Sequence, residues 1–463
     1  MLCGRAAVVG IHSLGCLGSM SRMGCLLRRH IHVSPGLHSL KSLLQPKPVQ
    51  LKLESGLERS NGSDDNGPRR HVPVMLEEVV EYLQMKLDLE TGALLDDAFN
   101  DPSTKRLFCD ATFGEGHYTR KLLDTFNCDV VVVDQDPFAI ERAKKLADEE
   151  PYRGRVVPIH GKFGDLKELM HRRLGSSMPC LDGIVFDVGV SSNQIDEPLR
   201  GFSFRTEGPL DMRMSSTGAL EQPTIEPHVA SEGLSALQVV NEFSQDQLAH
   251  IIKEYGEERF AHRVARFIIN ERTRKPITTT SQLASVVANA IVPRFKGKYD
   301  WSKHPATKTF QAIRIYVNDE LNELRKGLKA AEELLKPGGH LVVVTFHSLE
   351  DRIVKEFIHT CAGGAHRLSQ SEIRARRKTH HIESERDEEY AASAHYLVED
   401  ATRAARSGPK DMHLQSPPSF FKLTFRTVKP TSTEIESNSR SRSAKLRAAV
   451  RTLNSPMYGR RLG

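Results

Sequence analysis

Short apolar runs alternate with segments of helical period in the first half of the folded sequence. The helical segments extend from Thr119 to Phe126 and from Phe138 to Glu149. The apolar runs around them are Phe108-Cys109-Asp110, Val130-Val131-Val132-Val133, Val156-Val157-Pro158-Ile159 and Ile184-Val185-Phe186. Pro158 lacks the N–H that a central strand needs, so we expect the third strand near an edge or a strand end. The alternation predicts an α/β fold with a parallel sheet and helices on both faces.

This alternation stops between about residues 195 and 305, where no segment has a convincing strand pattern. Ser244 and Gln247 have the spacing of a helix capping box. Segments of helical period then follow at Leu248–Tyr255, Ala261–Asn270 and Ser281–Ile291. We therefore predict a helical domain inserted into the sheet domain.

The sheet pattern resumes after the insertion. A helix is predicted from Glu320 to Leu335, a buried strand at Leu341–Phe346 and a late edge strand at Phe420–Phe425. After Pro430 we expect a loosely ordered tail. Within it, the basic segment Ser443–Arg451 is predicted to fold as a helix on a partner.

These patterns divide the chain into parts, with folded sequence beginning near His71. A polar stretch rich in Asn, Gly, Ser and Asp precedes that point and has the composition of a linker. The expected parts are 1–53 as a targeting segment, 54–70 as a linker, 71–194 as the first part of the sheet domain, 195–305 as the helical insertion, 306–430 as the second part of the sheet domain with a flexible excursion at 362–418, and 431–463 as a basic tail.

The net charge of +6 is unevenly distributed. Residues 1–53 and 437–463 each contain seven basic residues and no acidic one, so residues 54–436 carry eight more acidic than basic residues. Because phosphate binding follows local clusters of Lys and Arg, any RNA contact must use local patches. A start rich in Arg, Ser and Leu, without acids before Glu54, favours a mitochondrial transit peptide and the matrix. The alternative is a disordered basic tail in the cytosol.

The cysteines and the hydropathy exclude several classes of protein. None of the seven cysteines forms a CxxC pair, which argues against a zinc site and a disulfide framework. No apolar run is long enough to cross a bilayer. We therefore expect neither a metal nor a membrane partner.

A glycine-containing loop, Asp110-Ala111-Thr112-Phe113-Gly114-Glu115-Gly116, follows the first strand. Glycines at Gly114 and Gly116 would let the backbone approach a cofactor, and the next helix would point its N–H groups at that cofactor. Asp134 ends the following strand, where a carboxylate accepts hydrogen bonds from ribose hydroxyls. These residues predict a nucleotide-type cofactor without separating NAD from S-adenosylmethionine, and an ordinary βαβ turn is the remaining alternative.

Two further strands end in polar residues at the same edge of the sheet. Asp187 follows the fourth strand and could receive hydrogen bonds from a cofactor or a substrate amino group, or order its own loop through Ser191 or Ser192. Gln194 could contact the adenine or a target base. His347 follows the fifth strand, where Ser348 has the position of a helix cap.

Taken together, these segments resemble the MraW/RsmH-type methyltransferases, which modify the exocyclic N4 of a cytidine in small-subunit ribosomal RNA. The matching stretches are His71–Met75, Asp110–Gly116, Asp134–Pro137, Asp187–Ser192, Arg200–Phe204, Gly208–Met214, Tyr255–Arg259, His304–Ala312, Thr345–Lys355 and Arg442–Arg447. The resemblance implies a Rossmann-like class I methyltransferase sheet, S-adenosyl-L-methionine as the cofactor, and substrate recognition by the helical insertion. With the transit peptide, it implies a mitochondrial member that acts on mitochondrial small-subunit (12S) rRNA.

The resemblance also assigns cofactor contacts in this chain. They fall on Gly116-His117-Tyr118, Asp134, Phe163, Asp187 and Gln194, together with Gly114 in the same loop. The family has Gly-Gly-His where this chain has Gly116-His117-Tyr118. We therefore expect the His117 side chain to crowd the methionine end of the cofactor and to reduce affinity or activity.

The expected chemistry is transfer of a methyl group to an unstacked cytosine. Cytosine N4 is a poor nucleophile, so the enzyme must aim it and supply acceptors for its N–H protons, a role that we assign to Asp187. Arg213, Lys308 and Arg314 are the candidate substrate contacts on a phosphate-facing surface. Further candidates are Arg263, Arg266, Arg272, Arg274 and Lys275. For most of these basic residues taken singly, an ordinary solvated helix face is the better interpretation.

Two other functions are weighed against this one. An NAD-dependent oxidoreductase would have a third glycine early in the first helix, where this chain has His117-Tyr118-Thr119. A non-catalytic ribosome-assembly factor would keep the fold without the chemistry; the departure at His117 and Tyr118 favours it, and the retained Asp134 and Asp187 disfavour it. The expected partner is small-subunit rRNA or an assembling mitochondrial small subunit, and the sequence leaves a homodimer open.

Overall fold

The computed structural model describes residues 73–93, 95, 104–175, 179–216, 233–292, 304–363, 417–424 and 427–457. The expected targeting segment (1–53), the linker (54–70), residue His71 and nearly all of the excursion at 362–418 lie outside these ranges. They therefore stay predictions.

A seven-stranded sheet forms the centre of the fold. Its strands are β1 (Arg106–Asp110), β2 (Cys128–Asp134), β3 (Val156–His160), β4 (Leu181–Asp187), β5 (Leu335–Thr345), β6 (Phe420–Lys422) and β7 (Lys445–Arg451). They lie in the order β3-β2-β1-β4-β5-β7-β6, with β1 to β5 parallel and β7 antiparallel to both neighbours. The predicted α/β class is confirmed, and the strand with Pro158 lies at the edge as expected.

Helices cover both faces of this sheet because the central strands are apolar on both sides. Val130 and Val132 of β2 enter one core, whereas Val131 and Val133 enter the other. The first core is closed by α1 (Leu76–Gln84), α2 (His117–Thr125) and α3 (Pro137–Asp148), and the second by α4 (Leu166–Leu174), α11 (Glu320–Leu334) and α12 (Ser348–Cys361). The carboxyl ends of β1, β2 and β4 consequently meet at one edge.

The prediction of a basic helix at Ser443–Arg451 is wrong. The prediction of a loosely ordered tail is also wrong for this segment. Lys445–Arg451 is β7, which inserts between β5 and β6. Leu446 and Ala448 enter one core and Ala449 the other, as a two-sided strand requires. The basic positions that suggested a surface helix are neutralised locally: Lys445 and Arg447 both bond to Asp351 of α12.

The helical insertion has a hydrophobic core of its own. Helix α5 (Ser192–Asp196) precedes it at the edge of the sheet. The helices of the insertion core are α6 (Ala236–Glu242), α7 (Gln245–Glu254), α8 (Ala261–Arg272) and α9 (Thr280–Ile291). The predicted capping box at Ser244 and Gln247 is present at the start of α7.

The expected end of the insertion at residue 305 is too early. The next helix, α10 (Thr307–Asn318), contributes Phe310 and Ile313 to the core of the insertion. On another face, Gln311, Arg314 and Asn318 reach the carboxyl edge of the sheet. Helix α10 therefore belongs to both the insertion and the carboxyl edge of the sheet. A boundary placed in the loop before this helix could not predict its two roles.

Candidate functional site

A cavity of about 330 Å³ lies at the carboxyl edge of the sheet. All eight predicted cofactor residues line it: Gly114, Gly116, His117, Tyr118, Asp134, Phe163, Asp187 and Gln194. The structure thus brings together residues that are dispersed over 81 positions of sequence.

The glycine loop has a backbone that only glycine adopts easily. Gly114 and Gly116 have φ angles of 53° and 80°, in the left-handed region. A Cβ on Gly116 would lie 2.6 Å from the Phe113 ring, so a side chain there would force the ring to shift. The carbonyl of Gly114 accepts hydrogen bonds from Arg142, which fixes the loop from outside.

Asp134 ties this loop to the end of β2. Its two carboxylate oxygens accept the backbone N–H groups of Gly114 and Asp136, each at 2.8 Å. Burial raises the pKa of Asp134 from 3.8 to about 6, despite those two hydrogen bonds. The carboxylate is therefore held in place, although burial destabilises its ionised form. A ligand with O–H donors would stabilise that form.

His117 and Tyr118 begin α2 on the wall of the cavity. The His117 Nε2 lies 3.3 Å from the Glu115 carboxylate, and about one third of its side chain is exposed. Tyr118 is buried, and its hydroxyl donates a hydrogen bond to the carbonyl of Val74. Tyr118 thus anchors the N-terminal segment, whose Pro73 and Val74 also line the cavity.

Asp187 lies at the end of β4 with an incompletely satisfied carboxylate. Its Oδ1 is buried and has no hydrogen-bond partner among the residues that the structure describes. Burial raises the pKa of Asp187 well above its usual value, and the nearby carboxylates of Asp110 and Glu350 add to this. Ser191, which could have used Asp187 to order the loop, instead caps α5 by accepting from the Gln194 N–H. These contacts favour the ligand-binding role of Asp187 over the loop-ordering one.

Gln194 is part of a buried network that sequence reasoning missed. Its Nε2 donates to Asp136 Oδ2 at 2.8 Å, and its Oε1 accepts from the Ser191 N–H at 3.0 Å. Arg200 forms an ion pair with the same Asp136 oxygen at 2.9 Å, and both side chains are 4% exposed. Arg200 also donates to the Met214 carbonyl in the insertion. The network connects this wall of the cavity to the insertion.

Acidic residues of α11 form another wall that the sequence did not reveal. Glu320 forms a two-pronged ion pair with Arg314, at 2.8 and 2.9 Å. Glu323 bonds to Lys326 through Oε1, whereas its buried Oε2 lacks a partner within the described ranges. The turn at Asp319, which has a φ of 51°, places both carboxylates at the cavity. The sequence shows Glu320 and Glu323 in the first turn of a helix. Acidic residues there usually only stabilise the helix N-terminus, so they did not indicate a site.

His347 caps α12, in place of the predicted Ser348. Its Nδ1 accepts the Glu350 N–H, and its Nε2 lies 2.8 Å from Glu350 Oε1. Glu320 completes a group whose ligand atoms lie within 4.8 Å of one another, close enough for a metal ion. Arg314 already neutralises Glu320. Despite their short separation, His347 Nε2 and Glu350 Oε1 are buried and have no hydrogen-bond partner among the described residues. Ser348 instead donates to Glu257 of the insertion.

The predicted phosphate-facing surface needs correction. Arg213 is buried and pairs with Asp211 at 2.5 Å, so it does not lie on an outer surface. Arg314 is partly exposed, pairs with Glu320 and lines the cavity, so its role as a substrate contact stays a prediction. Lys308 is exposed and donates to the carbonyl of Glu257 at 2.9 Å. Among the further candidates, Arg263 and Arg272 bond to main-chain carbonyls, whereas Arg266, Arg274 and Lys275 are exposed.

Comparison with known proteins identifies the family. A model of the MraW methylase family matches residues 68–385, more than half of the chain. The chain belongs to the MraW methylase family. This MraW-family protein is 39% identical, over 87% of its length and 96% of the relative's, to ribosomal RNA small subunit methyltransferase H of Granulibacter bethesdensis. It is 41% identical to proteins of the same name from Azorhizobium caulinodans, over 83% and 88% of the two chains, and Paramagnetospirillum magneticum, over 83% and 96%.

As a member of this family the chain is a methyltransferase, and its cofactor is S-adenosylmethionine. The cavity fits that molecule, which carries a positive sulfonium, an ammonium group and ribose hydroxyls. Asp187 Oδ1 and Glu323 Oε2 are buried acceptors without partners among the described residues, and Asp134 lies beside the glycine loop. Phe163, which packs edge-on against Phe186 at 5.7 Å, adds an apolar surface to the wall of the cavity. A cationic ligand would offset the excess of buried carboxylates here.

The described helices offer no candidate for a membrane span, since none combines the length and apolarity that a bilayer requires.

Proposed function

We propose that this protein transfers a methyl group from S-adenosylmethionine to the exocyclic N4 of a cytidine in the small-subunit rRNA of mitochondria. The observation that supports methyl transfer to an amino group is the buried Asp187 Oδ1 at the cavity, which has no partner among the described residues. The names of the relatives supply the substrate class. The acid-free, Arg-bearing segment 1–53 supports import into the matrix.

The residues of the cavity suit an amine nucleophile. When bound, S-adenosylmethionine supplies an electrophilic methyl group. Asp187 accepts an N–H of the cytosine amino group and orients its nitrogen toward that methyl group. The nitrogen becomes more positive as its new bond to carbon forms and the methyl–sulfur bond breaks, so an adjacent carboxylate favours this change. The methylated amine then gives up one N–H proton, for which Asp187, with its raised pKa, is an acceptor.

The target base reaches the cavity only if it leaves its stack, as in other enzymes that modify bases. The insertion adjoins the cavity through α10 and through the contact of Arg200 with the Met214 carbonyl. We assign RNA recognition to this insertion, with the exposed Lys308, Arg266, Arg274 and Lys275 as its phosphate contacts. RNA fragments and an assembling small subunit are the two substrates to compare.

The decisive experiment is methyl transfer from labelled S-adenosylmethionine to mitochondrial small-subunit rRNA, free and within assembling subunits. Nucleoside mass spectrometry should find N4-methylcytidine with the unaltered protein. Asp187→Asn should lower the rate at least about 100-fold, as loss of a transition-state hydrogen bond does. Asp182→Asn is the matched control, because Asp182 lies at the opposite end of the same strand and binds Lys336.

Two results would contradict the proposal. An unaltered protein that binds the cofactor but labels neither form of the RNA would indicate the non-catalytic assembly factor. A fusion of residues 1–70 to a fluorescent protein that stays in the cytosol would remove the mitochondrial assignment.

A further inference from the structure

The C-terminal part of the chain brings one arginine to the cofactor cavity. Arg440 lies in a 3-10 turn, Ser439–Ser443, just before β7, and its side chain lines the cavity. Its guanidinium lies 2.5 Å from the carboxylate of Asp196, at the end of α5. The ion pair therefore joins two segments that both border the cavity.

The backbone beneath Arg440 is held firmly. The Asn438 side chain accepts the Arg440 N–H at 3.1 Å, and the Ser441 hydroxyl donates to the Asn438 carbonyl at 2.7 Å. One turn earlier, Glu434 accepts the N–H of Met75 from the N-terminal segment that lines the cavity. Hydrogen bonds thus hold the segment that presents Arg440, while 39% of the Arg440 side chain is exposed.

Arg440 differs from the other arginine of the cavity. In the described part of the lining, Arg314 is 16% exposed and committed to Glu320, whereas Arg440 and Asp196 are 39% and 62% exposed. An exposed ion pair contributes little to stability, so its members can exchange partners at little cost. A guanidinium binds phosphate oxygens in a two-pronged manner that a single carboxylate oxygen does not match.

We propose that Arg440 exchanges Asp196 for a backbone phosphate of the RNA beside the target nucleotide. This inference rests on the proposed RNA substrate. Asp196 holds the arginine in place before RNA arrives, and its negative charge opposes the phosphate. Loss of Arg440 should therefore weaken RNA binding, whereas loss of the Asp196 charge should strengthen it. If the ion pair were only a structural clasp, that is, a contact that holds the two segments together, loss of either residue would weaken binding.

The test is equilibrium binding of the full chain to a mitochondrial small-subunit rRNA fragment over a series of salt concentrations. Arg440→Ala should weaken binding about fivefold at low salt and reduce the slope of log affinity against log salt by about 0.7–0.9, the value of one phosphate contact. Asp196→Asn should tighten binding about two- to threefold, as loss of an opposing surface charge does. Arg440→Lys should retain the slope while binding more weakly, because it keeps the charge.

Arg120→Ala is the matched control. Arg120 pairs with Glu149 at similar exposure, 40% and 49%, and does not line the cavity. It should change neither affinity nor slope. Thermal unfolding of each variant, followed by circular dichroism, confirms that the fold is retained.

Weakened binding in both Arg440→Ala and Asp196→Asn would indicate a structural clasp and overturn the inference, as would an unchanged slope in Arg440→Ala. These outcomes are independent of methylation. If the unaltered protein binds the RNA with the expected slope but does not methylate it, the proposed function fails while this inference stands.

Discussion

Arg200 and Asp136 form an ion pair at 2.9 Å in which both side chains are almost completely buried. The pair lies between the start of α3 and the insertion, and Gln194 shares the same carboxylate oxygen. It therefore connects the sheet domain, a wall of the cavity and the insertion.

Removal of one partner of this pair should destabilise the protein. Arg200→Met leaves the Asp136 carboxylate buried without its charge partner, a change that typically costs about 3–5 kcal/mol. Urea denaturation of the cofactor-free protein measures it. Lys144→Met, which breaks the exposed pair with Glu141, should cost less than about 1 kcal/mol. A double change, Arg200→Met with Asp136→Asn, should recover part of the loss; equal stability of Arg200→Met and the unaltered protein would contradict this account.

Gly116→Ala should lower cofactor affinity more than Gly154→Ala does. The new Cβ would combine a φ of 80° with a contact 2.6 Å from the Phe113 ring. Gly154→Ala has a similar φ of 75° but open space around it, so it should cost only the backbone strain of about 1 kcal/mol. Calorimetric titration with S-adenosylmethionine should show a loss of at least about tenfold for Gly116→Ala, since displacing a packed ring costs about 1–3 kcal/mol. Similar affinities for the two variants would exclude a special role for Gly116.

Cofactor affinity should fall as the pH drops below about 6. Asp134 has a pKa of about 6 in the ligand-free protein, and its ionised form is the better acceptor for ribose hydroxyls. Binding therefore releases a proton at lower pH, where each pH unit should weaken binding up to about tenfold from this group. Titration calorimetry in two buffers of different ionisation enthalpy measures the released proton. Asp134→Asn should bind more weakly at pH 8 and lose the pH step near 6.

His117→Gly introduces the glycine that the resemblance to the family predicts at this position. Because the imidazole pairs with Glu115, we expect the change to alter cofactor affinity less than about threefold, the scale of a partly exposed pair. Titration with S-adenosylmethionine checks this, with Glu115→Gln as the companion variant. A gain of tenfold or more in His117→Gly alone would instead establish crowding of the cofactor by the side chain.

The cofactor side of the cavity was predictable because its signals are local. Gly114 and Gly116 follow an apolar strand, and Asp134 and Asp187 end two others, so the parallel topology brings them together. Their packing details were not predictable, since the contact of Phe113 with Gly116 depends on a ring position that no spacing encodes.

The opposite walls depend on long-range contacts that local patterns do not contain. Glu323 reaches the cavity from a helix 136 residues after Asp187, and its sequence context suggests only an ordinary helix start. Arg440 was predicted to lie in a loose tail because basic, serine-rich sequence is common in such tails. The strand β7 was mistaken for a helix since seven residues of mixed apolar and basic type satisfy either period.

The position of β7 between β5 and β6 has a consequence for synthesis of the chain. During translation, β5 leaves the ribosome about 100 residues before the strand that pairs with it. Until then β5 is an open edge, and open edges of apolar strands invite pairing with other chains. A premature stop after residue 440 would make that state permanent, so such truncations should produce aggregating protein rather than a weakened enzyme.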